Sequence, residues 1–391
     1  MMPEGVRNLF RAALIIFVVT VVIGILNGID VWDVPRNTLL THVHAGTLGW
    51  ISLSVFGAAI WILGEPSSKT GRLASFSIVA MTVYILAFWS VDLTTPTSIQ
   101  RPIGGTLALG AIVWVFAWAL GARRGKGYDV AQFGIVLSLL FLVLGAILGV
   151  LLGLQVGGVE IVGPEYASRL GESHPGAMVI GFVVLAAVAL IEWLIQDRPP
   201  LLGESRAGVV QMTLVFLAGL AIVVGIVFDV EALLQLGVPL QIAGTIILLV
   251  RHRSRLGPST WGPGVTPKFV RTAVIGLIAV VALIAYVVSQ FIAGTDFAEF
   301  VNVLLAMDHV NFLLVMTSLI FAMMTRGSAV SDRSAMVIYV GLTIGVVGFA
   351  LGLILDQVML KRVFTPILGL ALLHGIYTFL RARDRTPTPA S

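Results

Sequence analysis

The chain has no cysteine among its 391 residues. That excludes disulfides, iron–sulfur clusters, thiolate metal sites and a covalently attached c-type haem. Charge is scarce as well: 11% of residues are Asp, Glu, Lys or Arg, against ~25% in a soluble domain. With 58% hydrophobic residues, the composition is that of a polytopic membrane protein, not of a globular enzyme with an anchor. The net charge of +4 sits in short loops and implies no nucleic-acid partner. No cleavable signal is expected, because the first apolar segment is as long as a full span.

Segments near the ~20 residues a bilayer requires occur twelve times, at about 9–28, 39–63, 72–91, 103–122, 130–154, 174–195, 206–228, 231–250, 269–292, 298–324, 334–355 and 359–380. The connecting stretches, such as "GEPSSKTGR", "GARRGKGYD" and "RSRLGPSTWGPGVTPK", hold turn formers and charges. With the N-terminus inside, nineteen of the 24 Lys and Arg fall on the cytoplasmic side, Arg385 among them. The five on the outer side are Arg36, Arg101, Arg169, Lys361 and Arg362. The positive-inside rule then places both termini in the cytoplasm.

Histidine is the informative residue, with six in all. His252 falls in a basic cytoplasmic loop and reads as solvated; His374 near the inner end of span 12 reads as structural. The other four, His42, His44, His174 and His309, fall in the outer portions of spans 2, 6 and 10, which all run in one direction. The intervals from His42 to His174 and from His174 to His309 are 132 and 135 residues. Equal spacing every four helices suggests an all-α fold of three four-helix arcs about a pseudo-threefold axis. The approximate repeats are 1–128, 129–260 and 261–391 within one membrane domain. Gly49-Trp50 and Gly181-Phe182 each begin seven residues after a histidine, whereas Met316 follows His309 at that distance.

Imidazole is a neutral ligand for haem iron and copper, so it avoids burying a charge in hydrocarbon. In "HVH" the two rings are ~200° apart around a helix, so only one faces a given cofactor. The bland alternative is three polar helix ends bonded to neighbouring spans, as in a cofactor-free transporter. Asp308, in the apolar run "VLLAMDHVNF", is a candidate to orient a ligand histidine or to pair with a cation or another histidine. The 42 glycines are explained by close helix packing.

With twelve spans and histidines in spans 2, 6 and 10, the sequence resembles the catalytic subunits of haem–copper oxidases and nitric oxide reductases. Their low-spin haem ligand in span 2 matches His42 with Gly49 and Trp50. The "GHPxVY" of their span 6, a copper-ligand motif, is similar to "SHPGAMVI" at His174 and Pro175. Their span-10 "HxHY" carries the high-spin and then the low-spin haem ligand. In "DHVNFLLVM" His309 matches the first, and Asn311 replaces the second. Two outer cations before span 12 bind haem propionates in that family, the place of Lys361 and Arg362. The resemblance implies one or two b-type haems, O₂ or nitric oxide as ligand, and a prokaryotic-type cytoplasmic membrane. It also implies an external electron donor, a quinol or a cytochrome or cupredoxin. His309 alone would leave a five-coordinate haem with an open gas position.

Departures from the family accompany the matches. Span 7, "RAGVVQMTLVFLAGLAIVVGIVFD", has no histidine pair, span 6 lacks the family's tyrosine, and no polar proton-channel row is visible. A standard copper site and proton pumping are therefore not expected. Copper or non-haem iron held by His42, His174 and His309, or by His174 with Asp229 and Glu231, is the remaining metal expectation. The chain is also similar to the NnrS family of twelve-span haem and copper proteins tied to nitric oxide stress. That family has "HAHEMLFGF"-like text where this chain has "HVHAGTLGW", and a His 17 residues before the Arg of "AMMTR", as His309 stands before Arg326. Its "FRPFF" and "GHTGR" runs are replaced by "LFRAA" and "AVSDR".

The charge distribution makes one direct prediction. A C-terminal fluorescent-protein fusion should light up, while a reporter that matures only in the periplasm should stay silent at the same position. Activity of the second reporter contradicts the orientation.

Overall fold

The computed structural model of the chain describes residues 2–64, 67–90, 99–196, 198–257 and 264–384. Parts of two loops quoted above (65–66 and 258–263), the end of the third expected span at Val91, and the tail carrying Arg385 lie outside the described residues.

Twelve helices among the described residues are long and apolar enough to cross a membrane. In chain order they are α1 Glu4–Gly28, α2 Arg36–Leu63, α3 Lys69–Trp89, α4 Gln100–Ala122, α5 Val130–Val156 and α6 Tyr166–Ile195. They continue as α7 Arg206–Phe228, α8 Glu231–Leu256, α9 Val265–Ile292, α10 Phe297–Gly327, α11 Asp332–Ile354 and α12 Val358–Arg381. A two-residue pairing of Ser328–Ala329 with Arg383–Asp384 is the one strand ladder among the described residues. Large aliphatic side chains such as Ile15, Ile103 and Leu370 point outward and are well exposed, as contact with lipid requires. The chain is a multi-pass membrane protein.

Two helices are longer than hydropathy alone suggests. The helical winding that leads into α6 begins at Pro164, more than two turns before the apolar run, because Pro164 pre-sets a first helical turn and "YASRLGES" is polar but helix-compatible. The α8 helix runs on to Leu256 through "RHRSR". His252 is therefore a helical residue, 4% exposed, and the expectation of a solvated loop histidine is incorrect.

Helix ends repeat with the four-helix interval. At the ends of α1, α5 and α9 the residues Asp30, Gly158 and Gly294 each take a left-handed conformation. In each case the next amide reaches back five residues: Val31 to the Leu26 carbonyl, Val159 to Leu154 and Thr295 to Gln290. This is the Schellman closure that satisfies orphan helix carbonyls. Asp229 and Asp356 end α7 and α11 in the same way, with Val230 bonded to Gly225 and Gln357 to Gly352.

The most buried spans are α2 and α6, 89% in each case, followed by α10 at 61%. Each contains one wide π-helical segment of eight residues: Ala45–Ser52, Gly176–Val183 and Val310–Thr317. Each segment starts one or two residues after a histidine. The wider winding turns the residues beyond it relative to those before it, so the histidine turn and the deeper core face are set separately. Carbonyls left poorly aligned by the winding accept from hydroxyls: Ser52 Oγ bonds the Thr47 carbonyl and Thr317 Oγ1 the Phe312 carbonyl, both at 2.9 Å.

The three segments tie the core together. Trp50 Nε1 in α2 donates to Thr317 Oγ1 in α10 at 2.9 Å, and its ring stacks on Phe17 of α1 with centroids 4.5 Å apart. Asn311 Nδ2 in α10 donates to the Val179 carbonyl in α6 at 3.3 Å. Thr317→Val should leave the buried indole N–H without an acceptor and cost ~1 kcal/mol, the scale of interhelical hydrogen bonds in membranes. Thermal unfolding in detergent should show a lowered midpoint for Thr317→Val and a near-normal one for Thr317→Ser.

Candidate functional site

The four histidines of the central spans share one local design. His42 Nδ1 bonds the Thr20 carbonyl of α1 at 2.8 Å, and His174 Nδ1 the Gly145 carbonyl of α5 at 2.8 Å. His44 and His309 bond the carbonyls of Leu40 and Leu305 in their own helices, each at 2.7 Å. A carbonyl only accepts, so the proton must sit on Nδ1 and the lone pair on Nε2. None of the four Nε2 atoms has a hydrogen-bond partner among the described residues. Four neutral imidazoles in one region thus present free donor nitrogens, with the second nitrogen anchored as metal-ligand histidines usually are.

Sequence reasoning expects His42, His174 and His309 around one interior, but the structure sorts the histidines into two pairs. His42 and His309 line one hollow of ≈60 Å³ with Phe17, Val21, Leu313 and Phe349. His44 lies with His174, ring centroids 6.4 Å apart and planes within 11° of parallel. Two residues apart on α2, His42 packs toward α1 and His44 toward Tyr84 and Phe88 of α3. Asn311, in the place of a second span-10 histidine, is fully buried and spent on the tie to α6. The second imidazole near His309 is supplied by α2.

Two glycines make room for the rings. A Cβ on Gly24 would lie 3.0 Å from the His42 ring, and one on Gly149 would lie 2.7 Å from the His174 ring. The pairs correspond residue by residue. Thr20 and Gly24 in α1 stand 125 residues before Gly145 and Gly149 in α5. His44 packs on Phe88 at 4.1 Å and His309 on Phe349 at 4.9 Å. The interval from Phe88 to Phe349 is 261 residues, the same as from Arg101 to Arg362.

The cations at the histidine end of the bundle differ in their partners. Arg362 meets Asp30 at 3.0 Å, Lys361 approaches Asp356 at 3.9 Å, and Arg169 meets Asp229 at 3.0 Å. Glu231 accepts from Gln235 at 2.6 Å. Asp229 and Glu231 are exposed, and each is engaged away from His174. No cluster of three or more His, Asp or Glu suited to a metal ion occurs among the described residues. Asp308 Oδ1 is buried and has no hydrogen-bond partner. Arg101 is 9% exposed and sits over the Phe88 ring at 4.1 Å, with its Nε unpartnered.

The other end of the bundle holds a group that sequence reasoning missed. Glu192 of α6 is fully buried and accepts from Arg251 at 2.8 and 2.9 Å and lies 2.9 Å from His252 Nε2. Gln211 also bonds Arg251 at 2.7 Å. Arg326 caps the same end, bonded to the Leu194 carbonyl and stacked over Trp193 at 5.2 Å. A lone carboxylate in the apolar stretch "VVLAAVALIEWLI" was the available signal, since such a group needs a cation. No family model matches the chain, and no curated protein is similar to it.

Glu192→Ala should strip Arg251 of its counter-charge and His252 of its hydrogen-bond partner, an uncompensated burial worth ~3–5 kcal/mol. Detergent-solubilised Glu192→Ala should aggregate or melt early, and Glu192→Ala combined with Arg251→Met should recover part of the loss. A single variant as stable as the parent contradicts the role.

Proposed function

We propose that this protein binds a b-type haem between α2 and α10, with His42 and His309 as its two axial ligands, and carries electrons in the membrane. The observation that carries the reading is that His42 and His309 line one largely apolar hollow, each imidazole held by an Nδ1–H bond to a backbone carbonyl and without an Nε2 partner among the described residues. Neutral imidazoles suit an iron porphyrin in a medium that penalises charge.

A bound haem supplies one-electron redox chemistry, and with both axial positions filled by protein it has no place for a gas. The reading therefore departs from the five-coordinate, gas-binding site expected for His309 alone. His42 of α2 and His309 of α10 would hold the iron. Phe17, Val21, Leu313 and Phe349 exclude water from its faces and keep the local dielectric low. The hollow is ≈60 Å³, small beside the ~300 Å³ or more of a small-molecule pocket, so a haem would require lining side chains such as Phe349 and Leu313 to rearrange.

Lys361 and Arg362 stand one turn from Thr365, which lines the same hollow. Their present partners are surface carboxylates, and such pairs are worth only ~0–1 kcal/mol. Exchange of Asp30 and Asp356 for haem propionates costs little, and a propionate bond shielded by the protein is stronger. The resemblance to haem–copper oxidase subunits and the recurrence of helix caps and π segments every four helices support three pseudo-threefold related arcs.

Purified protein should show the narrow α-band of a low-spin b-type haem and no change on adding CO. His42→Ala and His309→Ala should each turn that haem high-spin or lose it, and any five-coordinate haem that remains should bind CO. Protein purified from haem-replete cells without haem, or wild-type haem that binds CO fully, contradicts the reading.

A further inference from the structure

His44 and His174 use every device seen at His42 and His309. One imidazole of each pair bonds a carbonyl in its own helix: His44 to Leu40, His309 to Leu305. The other bonds a carbonyl across to the first helix of its own four-helix unit: His174 to Gly145, His42 to Thr20. In each pair the cross-bonded ring rests on a glycine, Gly149 or Gly24, and the other ring packs on a phenylalanine, Phe88 or Phe349. The pairs are thus two copies of one arrangement, separated by one four-helix interval. In a third copy, by the two-residue spacing of His42 and His44, Gly176 (two after His174) and Met307 (two before His309) take the places of the ligands. The design is broken there.

Distance agrees with a shared metal centre. Metal–imidazole bonds are ~2.0 Å long, so one metal can be shared only by rings whose centres lie within a few ångströms of it. The centroids of His44 and His174 are 6.4 Å apart.

Arg101 identifies the kind of centre. It stands 261 residues before Arg362, as Phe88 stands before Phe349. Unlike Arg362 it is buried, with no carboxylate partner among the described residues and an unpartnered Nε. It occupies the first turn of α4, where the helix dipole disfavours a cation. It also lies against Phe88, the ring on which His44 packs. A bare metal cation held by two neutral ligands would add repulsion to that position. A metal that arrives with its own carboxylates removes it.

We propose that His44 and His174 ligate a second haem through their Nε2 atoms and that Arg101 pairs with one of its propionates. The two histidine pairs use different faces of α2, His42 toward α1 and His44 toward α3. Assigning haem to this site rests on the reading of the first pair; its existence as a ligand site rests on its own geometry.

The test is haem stoichiometry by pyridine haemochrome, with iron and copper analysis, on the full chain purified in detergent. Two haems per chain are expected. His44→Ala or His174→Ala should remove one and leave the His42 and His309 signal, and His42→Ala should do the converse. His174→Met, which keeps an axial ligand, should retain both haems and raise one reduction potential, since Met/His ligation raises it. That variant guards against a misfolded alanine protein. Arg101→Gln should lower retention of the second haem several-fold, and Arg101→Lys should restore it. One haem per chain, lost in His42→Ala and unchanged in spectrum in His174→Ala and His174→Met, overturns this proposal and leaves the first reading standing. One haem lost with His174→Ala but untouched by His42→Ala supports this proposal and overturns the first. Copper without haem, or neither, overturns both.

Discussion

In a hydrocarbon interior every polar hydrogen must find its acceptor within the protein, and the centre of this bundle is organised by that constraint. Each imidazole of the central spans spends its one proton on a backbone carbonyl. That single bond fixes the tautomer, the ring rotation and the direction in which the free nitrogen points. The same constraint shapes the π segments, whose misaligned carbonyls are answered by Ser52 and Thr317 or turned to use between helices, as Val179 is by Asn311. Irregular winding survives at this depth because protein, not lipid, surrounds it.

The two ends of the bundle solve the problem of buried polarity differently. Around Glu192 a carboxylate meets the Arg251 guanidinium, with His252 Nε2 on the same carboxylate. A buried ion pair of this kind stabilises less than it constrains, and here it joins α6 to α8. At the histidine end the groups are neutral and each keeps one nitrogen uncommitted. Stability alone would not favour four free nitrogens and a buried arginine that has a carbonyl but no carboxylate partner among the described residues in one region. Such local departures from a satisfied core are characteristic of sites that complete themselves with a ligand.

The recurrence of caps, π segments, glycine rests and aromatic backings at four-helix intervals gives the chain an economy of construction. One arrangement is used twice for histidine pairs, and its third occurrence carries Gly176 and Met307 instead. Because α2 contributes to both pairs, any motion of that helix moves both. The π segment just beyond His44 separates the orientation of this histidine turn from the packing of Trp50 deeper in the core.

Much of the architecture was legible in the chain itself. Twelve spans follow from local apolar runs, because crossing a bilayer is a matter of length and composition. The left-handed Asp and Gly that end the helices act within a single turn. The four histidines stood out because imidazole is rare and costly at such positions. Their pairing was not legible, since it depends on the rotation of α2, α6 and α10, and a π segment shifts that rotation without any sequence mark as plain as a proline. For the same reason His252 passed as a loop residue: its partner Glu192 is 60 positions away in sequence and 2.9 Å away in space. Arg101 looked like one more outer charge, and only the packing of α4 against α3 buries it beside Phe88. Hydropathy and capping are properties of neighbours along the chain; which donor faces which is a property of helices docked together, and that was decided by the tertiary structure.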